Sequence, residues 1–393
     1  MFIVQNAPDK AGSQITESID SRHLRVVIAG GGTGGHLFPG IAIAEAVVER
    51  HPATEVMFIG SGRPLEISVL SQTGFGFETI AIEGLKGRGR WNQLRAAFKI
   101  PGAVWASMRK LWAFRPHMVV GVGGYSAGPV VTAAWMLRIP RVLHEQNLLP
   151  GVTNRILARL ANRIYISCAD TEGRWETARM HLTGNPVRQS LLAGTQREDA
   201  CREELNLLVM GGSQGAHALN MALIDALAKL PADTPLCVRH QTGTKDMGMV
   251  KAAYARHGVE AQVRPFFDDM ADCYRWADLA ICRAGATTVA ELTAVGLPAL
   301  FVPFPFAADD HQRLNAQAVV QANGGQMVLE ENLNGDLLAE RLTAFIEHPE
   351  RLETMAAAAR TLGRPAAAAE IVADCLALLE LESSSAQAEP EKQ

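Results

Sequence analysis

Short apolar runs rich in β-branched residues alternate with helix-like stretches along this 393-residue chain, and the alternation occurs in two series. Strands that alternate with helices form βαβ units around a parallel sheet. The sequence therefore predicts an α/β fold with two Rossmann-like, doubly wound domains in tandem. The candidate strands are Leu24 to Ala29, Glu55 to Ile59, Met118 to Val122, Arg141 to His144 and Arg163 to Ile166, then Leu205 to Met210, Leu236 to His240, Val259 to Pro265, Leu279 to Cys282 and Ala299 to Val302.

The break between the two series falls near Thr183 to Gln196, where Gly184-Asn185-Pro186 interrupts the pattern. We expect a disordered leader that is not a signal peptide, because it carries acidic residues and lacks an apolar segment with a basic lead. The predicted segments are a leader (1–22), a first domain (23–183), a second domain (184–364), a helix that returns to the first domain (365–382) and a disordered polar tail (383–393).

The composition excludes several classes of protein. Hydrophobic residues make up 48% and charged residues 20% of the chain, which excludes wholesale disorder. Six cysteines show neither a C-x-x-C pair nor metal-ligand spacing, so they indicate buried or free thiols in a reducing compartment. Residues 116–137 carry no formal charge, but their prolines and glycines favour a strand, a glycine turn and a helix over a membrane span.

Three glycine-rich turns follow predicted strands, at Gly30 to Gly40, Gly123 to Pro129 and Gly211 to Ala216. Glycines at a helix start leave backbone amides uncovered, which predicts an electropositive pocket for a phosphate. The first turn matches G-x-G-x-x-G, but the second strand ends in Gly60-Ser61 without the ribose-binding acid of a nicotinamide enzyme. A Gly-Lys-Ser/Thr phosphate loop is absent from the sequence, which argues against triphosphate hydrolysis.

Several polar residues at strand ends are candidates for chemistry. His36, on the first turn, is either a general base or a helix-start hydrogen-bonding group. His144 to Asn147 follow a strand where ligands usually bind in open α/β sheets, or they form a structural ion pair or turn cap. Ser213 either contacts a phosphate or caps the helix that begins near Ala216.

Two further motifs have alternative interpretations. Thr288 and Glu291 have capping-box spacing, and from the sequence alone the cap is favoured over a carboxylate that binds ribose hydroxyls. Asp309-Asp310-His311 suggests a metal site, but acidic residues favoured by the dipole of a helix start are the commoner explanation.

Eight sequence blocks in this order resemble the MurG family of peptidoglycan N-acetylglucosaminyltransferases. They cover about residues 24 to 365. The blocks are Gly31 to Gly40, Gly121 to Pro129, His144 to Asn147, Gly184 to Arg188, Gly211 to Ala216, Asp268 to Met270, Arg283 to Pro298 and Asp309 to Asn315.

The resemblance implies a GT-B fold with two domains that face a cleft, and an inverting transfer of N-acetylglucosamine to lipid I, which gives lipid II. It implies no metal or other cofactor, because a helix dipole and Arg188 replace the cation. His36 is the candidate catalytic base and Glu145 the reserve. The implied UDP-N-acetylglucosamine contacts are Thr33, Gly34, Gly35, Asn147, Arg188, Ser213, Phe267, Ala286, Thr287, Thr288, Val289, Ala290, Glu291 and Gln312; the implied acceptor contacts are Gly124, Tyr125, Ser126 and Gln146. Phe267 stands where family members often have isoleucine, and His311 where some members have glutamine.

One long segment is strongly basic. No acidic residue occurs between Gly84 and His144, whereas ten lysines and arginines do, together with four of the six tryptophans. Basic and apolar side chains together favour peripheral attachment to an anionic membrane, here the cytoplasmic face of the inner membrane, over nucleic acid. The alternative is a core-packed helix with a solvated basic face. The predicted membrane contacts are Arg90, Trp91, Leu94, Phe98, Trp105 and Trp112, and Leu111 recurs at the same helical spacing.

Other functions stay open at this point. A GT-B enzyme with another acceptor, a sugar-nucleotide epimerase and a non-catalytic nucleotide- or lipid-binding protein share these features. Contacts with other cell-wall synthesis proteins are a further expectation.

Overall fold

A computed structural model describes residues 23–82, 90–169, 171, 175–193, 204–212 and 215–388 of the chain, with the backbone alone at 90–99, 177, 308 and 382–388. The predicted leader lies outside the described residues. The strands are β1 Arg25–Gly30, β2 Glu55–Gly60, β3 Gly76–Thr79, β4 Met118–Gly123, β5 Arg141–Glu145, β6 Arg163–Ile166, β7 Met180–Leu182, β8 Leu205–Met210, β9 Leu236–Gln241, β10 Glu260–Arg264, β11 Leu279–Cys282, β12 Ala299–Phe301 and β13 Gly325–Met327. The helices are α1 Gly34–Arg50, α2 Pro64–Leu70, α3 Arg90–Phe114, α4 Ala127–Met136, α5 Val152–Leu157, α6 Gln189–Leu192, α7 His217–Leu227, α8 Met247–His257, α9 Met270–Trp276, α10 Ala286–Val295, α11 His311–Gln321, α12 Gly335–Glu347, α13 Glu350–Leu362 and α14 Ala367–Ala388.

The strands form two parallel sheets, one in each half of the chain. The first has the order β3-β2-β1-β4-β5-β6-β7 and the second β10-β9-β8-β11-β12-β13. In the first sheet β1 lies between β2 and β4, and in the second sheet β8 lies between β9 and β11. The order of the strands reverses at each of these places. Ligands bind at the carboxyl ends of the strands at such a reversal. The prediction of two Rossmann-like domains is confirmed.

Each predicted strand is present within one or two residues of its expected bounds, and three further strands are present that the pattern did not predict. These are β3, β7 and β13, and all three lie at sheet edges. Each has three or four residues, and β3 is largely exposed. Edge strands of this kind need no continuous apolar run, so periodicity could not identify them.

The last helix packs against the first domain. Ile371, Val372 and Cys375 of α14 are buried together with α1 and the central strands of the first sheet. The Tyr165 hydroxyl donates a 2.8 Å hydrogen bond to Asp374 on the same helix. α14 continues through Ala388, into the segment predicted as tail.

The uncharged segment 116–137 forms β4, a glycine turn and α4, as the sequence predicted. No helix in the described part of the chain is both long and apolar enough to cross a bilayer.

Candidate active site

The first glycine turn, residues 30–35, joins β1 to α1. The first helical residue is Gly34 and the N-cap is Thr33, so Pro39 lies inside the helix and not in its first turn. The turn packs tightly on the loop after β4: a Cβ atom on Gly30 would lie 2.5 Å from the Gly123 carbonyl oxygen. The absence of side chains therefore brings the two loops together and seats the His36 ring against Gly123.

Pro39 has a consequence for contact between the domains. Because proline lacks an N–H, the carbonyl oxygen four residues earlier, on Gly35, receives no helical hydrogen bond from it. The Thr287 hydroxyl, in the first turn of α10, donates to that oxygen at 3.1 Å. The amino-terminal ends of α1 and α10 therefore meet across the cleft.

Three histidines lie near one another in the cleft. Burial, aided by the charge of His311, lowers the pKa of His36 to about 4. Burial also lowers the pKa of His144 to about 4, against the effect of its hydrogen bond to Gly184 and with a smaller contribution from His36. Both imidazoles are therefore neutral at pH 7. The His36 Nδ1 atom lies 3.2 Å from the Thr33 hydroxyl.

The buried Glu145 carboxylate holds the loop after β5. It accepts hydrogen bonds from the amides of Asn147 and Gly151 and from the side chains of Asn147 and Asn154, at 2.9 to 3.3 Å. Burial raises the pKa of Glu145, and these bonds oppose the rise. Four donors leave this group little freedom to receive a substrate proton, and the contacts indicate that it positions Asn147.

The predicted acceptor residues flank this loop. Gly124 packs on Gly31, Tyr125 is exposed and Ser126 is buried at the start of α4. The Gln146 side chain donates to the Val122 carbonyl oxygen and lies 3.1 Å from His144. Its buried Oε1 atom has no hydrogen-bond partner among the described residues.

The partly buried Arg188 and the buried Glu291 form an ion pair, with 3.4 Å between Nη2 and Oε1. α10 begins at Ala286 with Gly285 as its N-cap, so the predicted capping role of Glu291 is wrong. Its second oxygen accepts a 2.8 Å hydrogen bond from Tyr274. Burial raises the pKa of Glu291, and Arg188 and Tyr274 oppose the rise.

Arg188 spans the two domains. Its guanidinium lies 4.3 Å from the centre of the Phe38 ring on α1. Its buried Nε atom has no hydrogen-bond partner within the described ranges, so one N–H of a cation in the cleft is left for a ligand.

The second glycine turn, residues 211–216, follows β8. Ser213 lies outside the described residues, and α7 begins at His217. The buried Gln241 side chain, at the end of β9, donates to the Gly212 carbonyl oxygen at 3.2 Å and accepts from the Phe267 amide at 3.1 Å. Gln241 therefore ties the turn to the backbone of Phe267, whose ring is buried.

The remaining predicted donor contacts lie on α10 and α11. Ala286 to Ala290 form the first turns of α10. Of these residues, Thr287 is buried, and its hydroxyl makes the contact with Gly35. The Gln312 side chain accepts a 2.9 Å hydrogen bond from the Phe304 amide. Asp309 and Asp310 have positive φ angles ahead of α11, and no group of three or more potential metal ligands occurs among the described residues.

Glu66 on α2 was not predicted as part of the site. Its fully buried carboxylate accepts a 2.6 Å hydrogen bond from the Gly32 amide in the first glycine turn. Glu66, Gln241 and Tyr274 do not stand in recognisable motifs. The sequence offered two weaker indications of a buried polar contact: Glu66 is a polar residue in a largely apolar helix, and Gln241 lies at the end of a strand.

Helix α3 carries three of the four tryptophans of the basic segment, and the fourth, Trp135, lies on α4. Trp105 and Trp112 are 64% and 74% exposed, whereas Ala103, Ser107 and Leu111 are buried on the opposite face. The core-packed alternative is therefore wrong for these two tryptophans, and Leu111 is no surface residue. Lys110 forms an ion pair with Glu78. The side chains of Arg90, Trp91, Leu94 and Phe98 lie outside the described residues.

Residues 26–166 match the glycosyltransferase family 28 N-terminal domain, and residues 206–371 match the glycosyltransferase family 28 C-terminal domain. With one parallel sheet in each half of the chain, these matches define a two-domain glycosyltransferase of the GT-B type.

Individual relatives define the family more closely. The UDP-N-acetylglucosamine–N-acetylmuramyl-(pentapeptide) pyrophosphoryl-undecaprenol N-acetylglucosamine transferase of Anaeromyxobacter sp. (strain Fw109-5) is 47% identical over 91% of this chain and 94% of that protein. The protein of the same name from Syntrophus aciditrophicus (strain SB) is 45% identical over 91% and 99%. The crystal structure of Acinetobacter baumannii MurG covers 89% of this chain and 98% of its own, with 33% identity and a TM-score of 0.70. The chain belongs to the MurG family.

A structural likeness at lower identity concerns the fold alone. The UDP-GlcNAc 2-epimerase of Neisseria meningitidis, solved with UDP-GlcNAc, has a TM-score of 0.64 with 16% identity and covers 90% of this chain.

Proposed function

We propose that this chain transfers N-acetylglucosamine from UDP-N-acetylglucosamine to the 4-hydroxyl of the N-acetylmuramyl unit of lipid I. Its relatives are named as N-acetylglucosamine transferases for UDP-N-acetylglucosamine and N-acetylmuramyl-(pentapeptide) pyrophosphoryl-undecaprenol. One structural observation carries the proposal. The first turn of α1, with a neutral histidine, faces Arg188 and Glu291 across the contact between Thr287 and Gly35. This arrangement puts a base on one domain and an anion-binding group on the other.

The second domain holds the donor in this proposal. Glu291 accepts hydrogen bonds from the ribose hydroxyls, and Arg188 turns its free Nε–H toward the diphosphate. The second glycine turn, with Ser213, supplies amides to the same anion. Cationic and amide donors aimed at the leaving phosphate stabilise charge that develops during the transfer.

His36 acts as the base for the acceptor. The 4-hydroxyl oxygen attacks the anomeric carbon, the bond from that carbon to the β-phosphate oxygen breaks, and the hydroxyl proton passes to His36 while UDP leaves. If Nδ1 carries the proton that faces Thr33, Nε2 is the basic nitrogen. The negative diphosphate, held by the second domain, lies across the cleft from His36 and raises its pKa from the low value of the free enzyme toward neutrality.

The direct test follows label from UDP-N-acetylglucosamine into product with a lipid I analogue. We expect lipid II from the native chain, and a loss of turnover of about 100-fold or more in His36→Ala, because a general base contributes about that much. Donor binding by calorimetry should persist in His36→Ala. The exposed His348, which pairs with Glu350, provides the matched control His348→Ala.

Two outcomes would contradict the proposal. Wild-type turnover in His36→Ala removes the base assignment. Donor hydrolysis or epimerisation without lipid II would favour the epimerase alternative, and donor binding without any turnover would favour a binding protein.

The exposed face of α3 supports peripheral attachment to the anionic membrane that carries the acceptor. Trp105→Ser with Trp112→Ser should reduce cosedimentation with anionic vesicles while the melting temperature is retained. Trp135→Ser, which alters a half-exposed tryptophan on another helix, is the control. Unchanged sedimentation of the double variant would refute this attachment surface.

A further inference from the structure

Glu66 has no part in the mechanism proposed above, yet it lies within the first glycine turn. It belongs to α2, which follows β2, and none of its side chain is exposed. A buried carboxylate costs free energy unless donors surround it. The groups that donate hydrogen bonds to the Glu66 carboxylate therefore indicate its role.

The donors are backbone amides and one hydroxyl. Oε1 accepts from the amides of Gly32 at 2.6 Å and Ser61 at 3.3 Å, and Oε2 accepts from the Arg63 amide at 2.9 Å. The Ser61 hydroxyl lies 3.2 and 3.1 Å from the two oxygens. Converging amides of this kind form a nest for an anion, and here the anion belongs to the protein.

The space for this carboxylate comes from missing side chains. A Cβ atom on Gly31 would lie 2.2 Å from Oε1, and one on Gly60 would lie 3.0 Å from it. The carboxylate therefore occupies the space beside the Gly32 amide, between the first glycine turn and the loop after β2. A second anion placed against it would meet a like charge at low dielectric, which is unfavourable.

Gly32 is held from both sides. Its amide donates to Glu66, and its carbonyl oxygen accepts a 3.1 Å hydrogen bond from the Arg63 guanidinium. The next residue, Thr33, is the N-cap of α1 and contacts His36. Fixing Gly32 therefore fixes the start of the helix that carries the base.

We propose that Glu66 is a positioning residue that replaces a phosphate in the first glycine turn. It holds Thr33 and His36 in the geometry for transfer and reserves the second turn for the donor diphosphate. The expected effect of Glu66 on turnover rests on the proposed function. Its expected effect on anion binding does not.

The test compares Glu66→Ala and Glu66→Gln with the native chain. In Glu66→Ala we expect kcat to fall by about 30-fold or more and the donor Kd from calorimetry to stay within about threefold, because a small misplacement of the base costs rate and not donor contacts. Glu66→Gln keeps one acceptor for the Gly32 amide, so its kcat should lie between those of Glu66→Ala and the native chain. Sodium formate, compared with sodium chloride at equal ionic strength, should restore part of the kcat of Glu66→Ala.

Asp374→Ala is the matched control. This carboxylate is partly exposed and also supports the first domain, where it accepts from Tyr165 and pairs with Arg163, away from the glycine turn. Its removal should lower the melting temperature without a selective loss of kcat, and formate should have no effect on it.

Several results would overturn the inference. They are a native kcat in Glu66→Ala, a formate effect no larger than that of chloride, or a parallel loss of kcat, donor affinity and melting temperature as in Asp374→Ala. If the alanine variant does not fold, a native kcat in Glu66→Gln overturns it.

Binding of inorganic pyrophosphate separates this inference from the proposed function. The vacated turn in Glu66→Ala should gain a pyrophosphate site that the native chain lacks. That gain is measurable by calorimetry even if the native chain does not convert lipid I. No gain of binding would contradict the role of Glu66 as an internal anion.

Discussion

The two glycine turns occupy equivalent places in the two sheets, yet their supporting side chains differ in charge. The turn after β1 is filled by the Glu66 carboxylate, which comes from the helix after β2. The turn after β8 is held by the neutral amide of Gln241, at the end of β9, the counterpart of β2. The described part of one turn thus contacts a carboxylate, whereas that of the other contacts a neutral amide. In the proposals above, the first turn positions the catalytic base and the second binds the donor diphosphate.

The largest effect is expected when the neutral side chain that supports the second turn is replaced by a carboxylate. In Gln241→Glu, a carboxylate would face the Gly212 carbonyl oxygen and lie close to the donor diphosphate. We expect donor affinity to fall by about 100-fold, since a like charge at close range costs several kcal/mol. Calorimetry with UDP-N-acetylglucosamine measures it.

Gln241→Met is the control for this variant, because it removes both hydrogen bonds without adding charge. Its loss of affinity should be much smaller. Equal losses in the two variants would mean that the charge of the supporting side chain is irrelevant, and the comparison between the turns would break.

A smaller effect is expected from Tyr274→Phe, which sharpens the donor-binding role of the second domain. The variant removes the hydroxyl that donates to Glu291 at 2.8 Å. We expect the KM for the donor to rise about tenfold with kcat retained, in keeping with one hydrogen bond to a charged group. A 2′,3′-dideoxyribose donor should abolish the difference between variant and native chain. An equal rise with that donor would show that Tyr274 does not act through the ribose contact.

The smallest expected effect is a fall in the free energy of unfolding as the pH is lowered. Burial lowers the pKa of His144, in the first domain, to about 4, and that of His240, below the second turn, to about 3, in the latter case against the charge of Asp246. The unfolded chain binds protons near the ordinary value of 6.5, so the stability contributed by both groups is present above that pH and is lost as the pH falls toward their folded values. At pH 5.5 the loss is roughly 1 kcal/mol for each group.

Denaturant unfolding from pH 8 to 5 measures this loss. His240→Asn should flatten the pH dependence by about half. A free energy of unfolding that stays constant or rises below pH 6.5 would contradict the neutral state of these histidines.

The sequence predicted much of the fold, because β1, β4 and β8 are continuous apolar runs that end in glycine turns. It also indicated Arg188, Glu291 and His36, which stand in recognisable motifs. It could not predict β3, β7 and β13, whose short edge positions lack periodicity. The role of Glu291 was misjudged because capping-box spacing says nothing of Tyr274 and Arg188, which reach it from distant parts of the chain. Glu66 was missed for the same reason, since its contact with Gly32 spans 34 residues.

The crystal structure of the chain with UDP-N-acetylglucosamine tests the central claim most directly. We predict that the diphosphate lies against residues 211–216, with the ribose hydroxyls at Glu291 and Arg188 turned to the phosphates, while Glu66 stays on Gly32. A diphosphate bound at residues 31–35 with Glu66 displaced would contradict the account.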